Sequence, residues 1–509
     1  MIQRNKLLAA ITILTYVLIA LFHLVSAKTG YSHYRDIHLG AAINYAKGSL
    51  DILRPMIVGF NATGTPTPQE FPIWQAAAGA TFKCFGPWFG WANLLSLVLF
   101  ATGLWPLYSL ASRYLSPRGA WWTIIFLLTQ PILILISGQA SADGLSFTLA
   151  LWFLFFVDQL VRSGRTVWMI PSTIFGALSA VTKLPLFMSI GLMSCCLLLW
   201  QRPGSLKTWG LLTATGVAGG LVFMAWTRYT DSCLAMAQFP LVDLRLSHNP
   251  DMWKWYFGDW QYRLNPFNWS KAGWAALNSL LGSFALLALP GWALFFSRNR
   301  LGQIWLFAAL CATFIFCHLV LVHRHYFILY SPAVALLCAS GILQIEKLLN
   351  LQKDWQKRFA TVGFYVALLL SSVQGLIGIK IVLDYDRYPQ DVARIIDQST
   401  SPQDKLIIEG GGWGGEILFL SHRSGLSIWN TQLLEDPRVF SRLSSLGYTK
   451  LVMISESPLL HALQVIDPGN LQRQRISYRT ALTPIADSWR IIFQSDDVLI
   501  KELPARPAQ

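Results

Sequence analysis

The sequence predicts a polytopic α-helical membrane protein with a small α/β domain at its C-terminal end. Three observations predict it. Of the 509 residues, 54% are apolar and only 13% are charged. Apolar runs of membrane length recur through the first three quarters of the chain and then stop. Beyond Lys380 the pattern turns to short strands and helices. A mean hydropathy of +0.44 excludes an ordinary soluble protein.

A helix needs roughly 17 to 25 apolar residues to cross about 30 Å of hydrocarbon. Runs of that kind fall at 7–27, 91–111, 120–138, 142–161, 166–182, 184–200, 208–227, 274–296, 302–322, 326–345 and 359–379, about eleven transmembrane helices. Lys and Arg collect in cytoplasmic loops. Here Arg4 and Lys6 precede the first run, and Arg113 with Arg118, Arg162 with Arg165, Arg202 with Lys207, Arg298 with Arg300, and Lys347 through Arg358 fall in every second connection. The expectation is a cytoplasmic N-terminus and an extracytoplasmic C-terminal segment, in a bacterial inner membrane. The net charge of +14 is then a matter of topology and membrane lipids, with no nucleic acid implied. The first run has no convincing small-residue cleavage pattern and is read as retained.

Two external loops are long, 28–90 and 228–273, and loops of that length in a compact domain usually carry function. The first holds Tyr31 to His38, with Asp36 just outside the first span, then a helical stretch from Ile37 to Ala46 and an apolar helix from Phe71 to Phe85. Counting that second helix as a crossing reverses the charge parity, so it is expected along the interface, with Trp74, Trp88 and Trp91 at headgroup level. The second loop holds Trp253, Trp255, Tyr256, Trp260, Tyr262 and Trp269 among Lys254, Asp259 and Arg263. Such rings suit sugar faces or a lipid interface. The seven cysteines have no metal-ligand spacing; Cys84 and Cys233 are both expected outside, as a pair or as two unrelated thiols.

The C-terminal segment, 380–509, reads as strands at Asp404 to Glu409, Ser427 to Asn430 and Lys450 to Ser455, helices at Glu416 to Ser421 and Phe440 to Leu446, and a hairpin from Trp489 to Glu502. The turn Gly410 to Gly415 satisfies G-x-G-x-x-G after a strand, yet no acidic residue ends a next strand, and a plain tight turn is the simpler reading.

Asp36 is placed to act as general base on an acceptor hydroxyl, flanked by Tyr34, Arg35 and His38. A base in that role needs positive charge for the leaving group. Lys183, wedged between two apolar stretches, is costly there unless it faces a cavity or a partner; snorkelling to the headgroups is its alternative. Arg324, with His323 and His325, follows the ninth span. Asp143 opens the fourth span as a helix cap or as a partner of Lys183 or Arg324.

In this order the residues resemble the GT-C superfamily of polyprenyl-phosphate-sugar glycosyltransferases, in the branch of the protein O-mannosyltransferases and the lipid A aminoarabinose transferase. The resemblance covers about the first 345 residues. It rests on Asp36 and the helix Ala41 to Gly48, Glu70-Phe71-Pro72-Ile73-Trp74 leading to Phe85-Gly86, Ala142-Asp143, Thr182-Lys183-Leu184-Pro185, and Arg324-His325-Tyr326 through Pro332. Phe71 stands where the pattern has a lysine, and a single Asp36 after Arg35 replaces paired acidic residues.

The resemblance implies a GT-C fold and an inverting transfer from a polyprenyl-phosphate-linked sugar donor to a lipid, glycan or protein acceptor. Asp36 is the implied base, and Lys183, Arg324 and His325 bind the donor phosphate. Glu70, Asp143, Arg35 and Tyr34 shape the site, with Glu70 otherwise a cap on the helix after it. Trp253, Trp255 and Trp260 cover the acceptor. A divalent metal ion bridging phosphate and Asp36 would use His33 or His38. Competing readings are a transporter or flippase for lipid-linked saccharide, an oligosaccharide ligase and an inactive scaffold. No internal repeat supports the transporter.

Overall fold

The computed structural model describes residues 2–26, 35–55, 70–236, 245–282, 286–296, 299–349, 388–409, 415–428, 437–454, 489–495 and 498–503, with short stretches between 362 and 377. The chain divides into two compact units. One comprises Met1–Val25, Asn93–Arg228 and His248–Lys380; the other comprises Ser26–Ala92, Tyr229–Ser247 and Ile381–Gln509.

The first unit is built from helices. Among the described residues six are long and apolar enough to span a membrane: Lys6–Val25, Phe89–Tyr114, Asp143–Ser163, Leu184–Gln201, Leu206–Ala235 and Ser331–Leu348. Over their full lengths we label the first two α1 (Ile2–Ser26) and α4 (Phe89–Tyr114), the next three α7, α9 and α10, and the last α17 (Ser331–Leu349). The run expected at 120–138 is two helices, α5 (Pro117–Leu128) and α6 (Pro131–Gly138), bent by 78° at Pro131. Proline removes a backbone donor and clashes with the preceding turn, so an apolar run need not be one straight helix. The pair makes a seventh span if it is one crossing.

The remaining runs are shorter or interrupted. α8 (Met169–Thr182) covers the fifth. α13 (Pro266–Leu280) and α14 (Ala288–Phe296) divide the eighth, and α15 (Arg300–Ile315) and α16 (Cys317–Val322) divide the ninth. The eleventh falls largely outside the described residues. α7 lies in the middle, packed on α8 and α9, while α17 packs on α5, α14 and α15. Small residues permit the close approaches, as membrane helices require: a Cβ on Gly176 would lie 3.0 Å from the Phe153 ring.

At the end where α4 finishes, Arg113 and Tyr114 both bond the wholly buried carboxylate of Asp158 on α7. Gln201, the last residue of α9, donates to the Tyr114 hydroxyl. Arg118 pairs with Glu346 at 2.5 Å, joining α5 to α17. The arginines counted for topology therefore also bind helices together.

The second unit joins the segment after the first span to the C-terminal segment. α2 (Arg35–Lys47) packs closely on α3 (Ile73–Phe85). A Cβ on Gly79 would lie 2.5 Å from that of Tyr45 and 2.8 Å from the Ala42 carbonyl oxygen. Trp74, expected at headgroup level, is fully buried in this contact, its ring 6.0 Å from that of His38. The contact needs a large apolar side chain at that point of α3, and this outweighs the preference of tryptophan for an interface. Cys84 and Cys233 are both free thiols.

The C-terminal segment folds as a five-stranded mixed sheet in the order β2-β1-β3-β5-β4. β1 is Lys405–Glu409, β2 Ser424–Ile428, β3 Lys450–Ile454, β4 Ile491–Gln494 and β5 Val498–Glu502. β1 pairs in parallel with β2 and β3; β5 is antiparallel to β3 and β4. The second strand lies a few residues before the expected Ser427 to Asn430. Helices α18 (Tyr388–Ser399) and α19 (Gly415–Leu420) supply Val392, Ile396 and Leu418 to one face, and α20 (Pro437–Ser445) supplies Phe440 and Leu443 to the other. Burial on both faces explains the continuous apolar run in β1. The Gly410 to Gly414 turn lies outside the described residues. α19 packs on α2, with the Phe419 and Phe89 rings 4.8 Å apart.

Candidate active site

In the helical unit the site is built where helices stop. α8 ends at Thr182, Lys183 is extended at φ −150° and ψ 93°, and α9 (Leu184–Gln201) starts at once with Pro185 in its first turn. Proline is tolerated there because its missing N–H would have no helical partner. The break places Lys183 between two helices with a side chain only 10% exposed. Its ammonium lies 3.2 Å from the Asp143 carboxylate, itself 6% exposed.

Asp143 opens α7 (Asp143–Ser163), where the helix N-terminus favours a negative charge. The capping position is Ala142, so Asp143 is the partner of Lys183 and not a cap. Ser141 adds its hydroxyl to the carboxylate at 3.2 Å and accepts from the Asp143 amide at 3.3 Å. The segment from Gln139 to Ala142 is non-helical and buried; such backbone at membrane depth is tolerated inside protein or along a cavity.

Beside the pair, a tight turn from Arg324 to Leu329 carries the basic cluster. The Lys183 ammonium lies 5.4 Å from the centre of the buried Tyr326 ring, within cation–π range. The His325 ring is 4.4 Å from Tyr326 and 5.3 Å from His323. Arg324 is exposed.

From His323 the cluster continues into the 228–273 segment. Trp255, on α11 (Pro250–Phe257), lies 5.4 Å from His323 and 4.9 Å from His318, and its carbonyl oxygen is 3.0 Å from His318 Nδ1. Tyr262, on α12 (Trp260–Leu264), is 4.8 Å from His318. Burial, with Cys317 adding to it, pushes the Tyr262 phenol above its usual pKa. The sequence reading passed over His318, a lone histidine inside an apolar run. Of the three tryptophans expected to cover the acceptor, Trp255 meets the histidines, whereas Trp253 lies tilted against Phe257 at 5.1 Å and Trp260 against Phe314 at 6.4 Å.

In the second unit, Asp36 lies in the first turn of α2, beside Arg35. The side chains of both, and all of His33 and Tyr34, lie outside the described residues. His38 is buried, its Nδ1 2.7 Å from the Gln75 amide nitrogen. That bond commits one ring nitrogen to the α2–α3 contact. Glu70 is half-buried just before α3, whose capping position is Pro72. Among the described residues no group of three His, Cys, Asp or Glu side chains is arranged to hold a metal.

No family model and no curated protein matches the sequence. Solved structures do. ArnT from Cupriavidus metallidurans bound to undecaprenyl phosphate aligns with a TM-score of 0.61 at 15% identity, over 98% of this chain and 99% of that one. Its apo state aligns with the same TM-score at 14% identity, over 98% and 100%. The arabinofuranosyltransferase AftD from Mycobacteria aligns with a TM-score of 0.54 at 14% identity, over 96% of this chain but 40% of AftD. The polytopic helical bundle with its C-terminal mixed sheet thus has, over nearly its full length, the fold of ArnT.

Proposed function

We propose that this protein is an integral membrane glycosyltransferase that moves a sugar from a polyprenyl-phosphate donor to a hydroxyl acceptor, a lipid, glycan or protein, on the outer face of the membrane. The observation that carries the reading is the Lys183–Asp143 pair, at the junction of three helices in a fold shared with a structure that holds undecaprenyl phosphate. A lysine at that depth is costly unless paired. Asp143 is that partner, and a phosphate that arrives meets a cation already held in place.

In the proposed reaction the Asp36 carboxylate takes the acceptor proton and the acceptor oxygen attacks the anomeric carbon. The bond from that carbon to the phosphate oxygen breaks with inversion, and polyprenyl phosphate leaves with the electron pair. Lys183 receives the growing charge as a point cation, and Arg324 and His325 supply further donors. Glu70, Arg35 and Tyr34 hold Asp36 and the acceptor. Trp255 covers the acceptor. A divalent ion would be held by Asp36 with His33 or His38 and would supply positive charge for the phosphate; His38 has its Nδ1 committed to Gln75.

The proposed membrane arrangement is eleven crossings over residues 1–379, with a cytoplasmic N-terminus. Residues 380–509 form an extracytoplasmic domain, and the protein lies in a bacterial inner membrane. The alternation of basic connections supports it. The test is transfer in liposomes, with purified protein, a panel of radiolabelled undecaprenyl-phosphate sugars and membrane extract as acceptor. Label moved from one donor to a product is the expected result. Movement of the lipid-linked sugar across the bilayer with no product would make the protein a transporter.

A further inference from the structure

The second external loop has two faces. One carries Trp255 and Tyr262 onto His318. The other leaves Trp260 64%, Leu264 70% and Phe267 69% exposed. Three large apolar side chains so exposed within eight residues are unfavourable in water.

Their exposure is held in place. Asp259 caps α12 by accepting from the Tyr262 amide at 2.7 Å. Asn268 donates to the Tyr262 carbonyl at 3.0 Å, and the Trp269 indole donates to the Arg263 carbonyl at 2.6 Å. These bonds fix the turn from α12 into α13, so Leu264 and Phe267 cannot fold inward without breaking them.

The surface they belong to is continuous with the apolar face of α15, part of the proposed ninth crossing. On α15, Phe307, Leu310 and Phe314 are exposed at helical spacing, the apolar stripe that a spanning helix shows to lipid. At its end the Phe314 ring meets that of Trp260, 6.4 Å away. The Arg263 guanidinium lies over both rings, 5.1 Å from Trp260 and 5.7 Å from Phe314, with its Nε bonded to the Phe257 carbonyl at 3.0 Å. Aromatic rings and an arginine at the top of a lipid-facing stripe are what the headgroup boundary selects.

We infer that α12 and the start of α13 form a lipid-docking face, with Trp260, Leu264 and Phe267 seated among phospholipids at the headgroup–acyl boundary. The occupant is phospholipid, because the face continues the stripe of α15. Trp260 is then a membrane anchor and not part of an acceptor lid. Its docking keeps Trp255 and Tyr262 against the histidines. The inference rests on the protein's being membrane-embedded, and not on the proposed transfer.

The test uses the full-length protein in nanodiscs of phospholipid with a photoreactive group near the glycerol, and locates adducts by mass spectrometry. Purified protein excludes other partners. Ile491, exposed on β4 of the C-terminal sheet, supplies the background. Adducts on Trp260, Leu264 and Phe267 about fivefold or more above Ile491, comparable with Phe307 and Leu310, with Tyr262 at background, are expected. Adducts on Phe307 and Leu310, with residues 260–267 at the Ile491 level, would overturn the inference.

Discussion

Lys183 and Asp143 hold each other 3.2 Å apart in a place where neither charge would rest alone. Asp143 was legible as a partner of Lys183, because a charge among apolar residues needs one. Tyr326 stood in the sequence motif with no role of its own, and its ring beside the ammonium emerges only when distant helices meet. Lys183→Ala is expected to weaken undecaprenyl-phosphate binding about ten- to a hundredfold, the loss of about 1.5–3 kcal/mol that a charged hydrogen bond supplies. Lys183→Arg should fall between. A binding isotherm in detergent checks both; unchanged affinity in Lys183→Ala would remove the lysine from the phosphate site.

Asp36, on which the sequence reading placed the chemistry, is reached from the other direction. Its helix was legible from periodicity, with α2 extending one or two residues beyond Ile37 to Ala46 at each end. His38, two positions on, had been open as a metal ligand; the polar loop around it gave no sign that Gln75 and Trp74 would enclose it. Burial of a single histidine depends on what packs from afar, and local composition does not carry that.

At the level of elements, hydropathy located the apolar runs and missed their breaks. A window of about 19 residues averages across a bend, so α5 and α6 read as one span although Pro131 was in view, and Gly282 at φ +70° went unremarked between α13 and α14. Charge counting read Arg113 as a topological signal, whereas it also pairs with buried Asp158. Removing one partner of a buried pair is strongly destabilising; with Arg113 partly exposed the effect is smaller. Asp158→Ala should lower the thermal midpoint in detergent by several degrees, and Asp158→Asn by less, since it can still accept from Tyr114.

The α2–α3 contact gives a second prediction of this kind. A methyl group on Gly79 would press on the Ala42 carbonyl, so Gly79→Ala is expected to destabilise by about 1–3 kcal/mol. Thermal unfolding would show it, and a midpoint equal to that of the wild type would mean that the helices lie farther apart.

For the whole molecule, fold class and the order of elements were legible, because composition and periodicity report on solvent and burial directly. The partition into units was not. The segment after the first span and the C-terminal domain are far apart in sequence, yet α2 packs on α19, a tertiary contact that no local pattern records. The C-terminal sheet should respond to acid. The Lys450 ammonium bonds Glu502 at 2.8 Å and holds its carboxyl below the usual range. A depressed folded pKa makes this contribution fully present above the unfolded value of about 4.3, and it is lost as pH falls through the folded one. Hydrogen exchange along β3 should therefore quicken below about pH 4 in the wild type and show less of that dependence in Glu502→Gln.

The most direct test of the central claim is single-turnover transfer by wild type and Asp36→Asn, from the undecaprenyl-phosphate sugar that the wild type uses, with donor binding measured in parallel. The account predicts that the variant binds donor as the wild type does and transfers about a hundredfold or more slowly, the scale of a lost general base. Equal transfer by the two proteins would contradict it, and would move the base elsewhere.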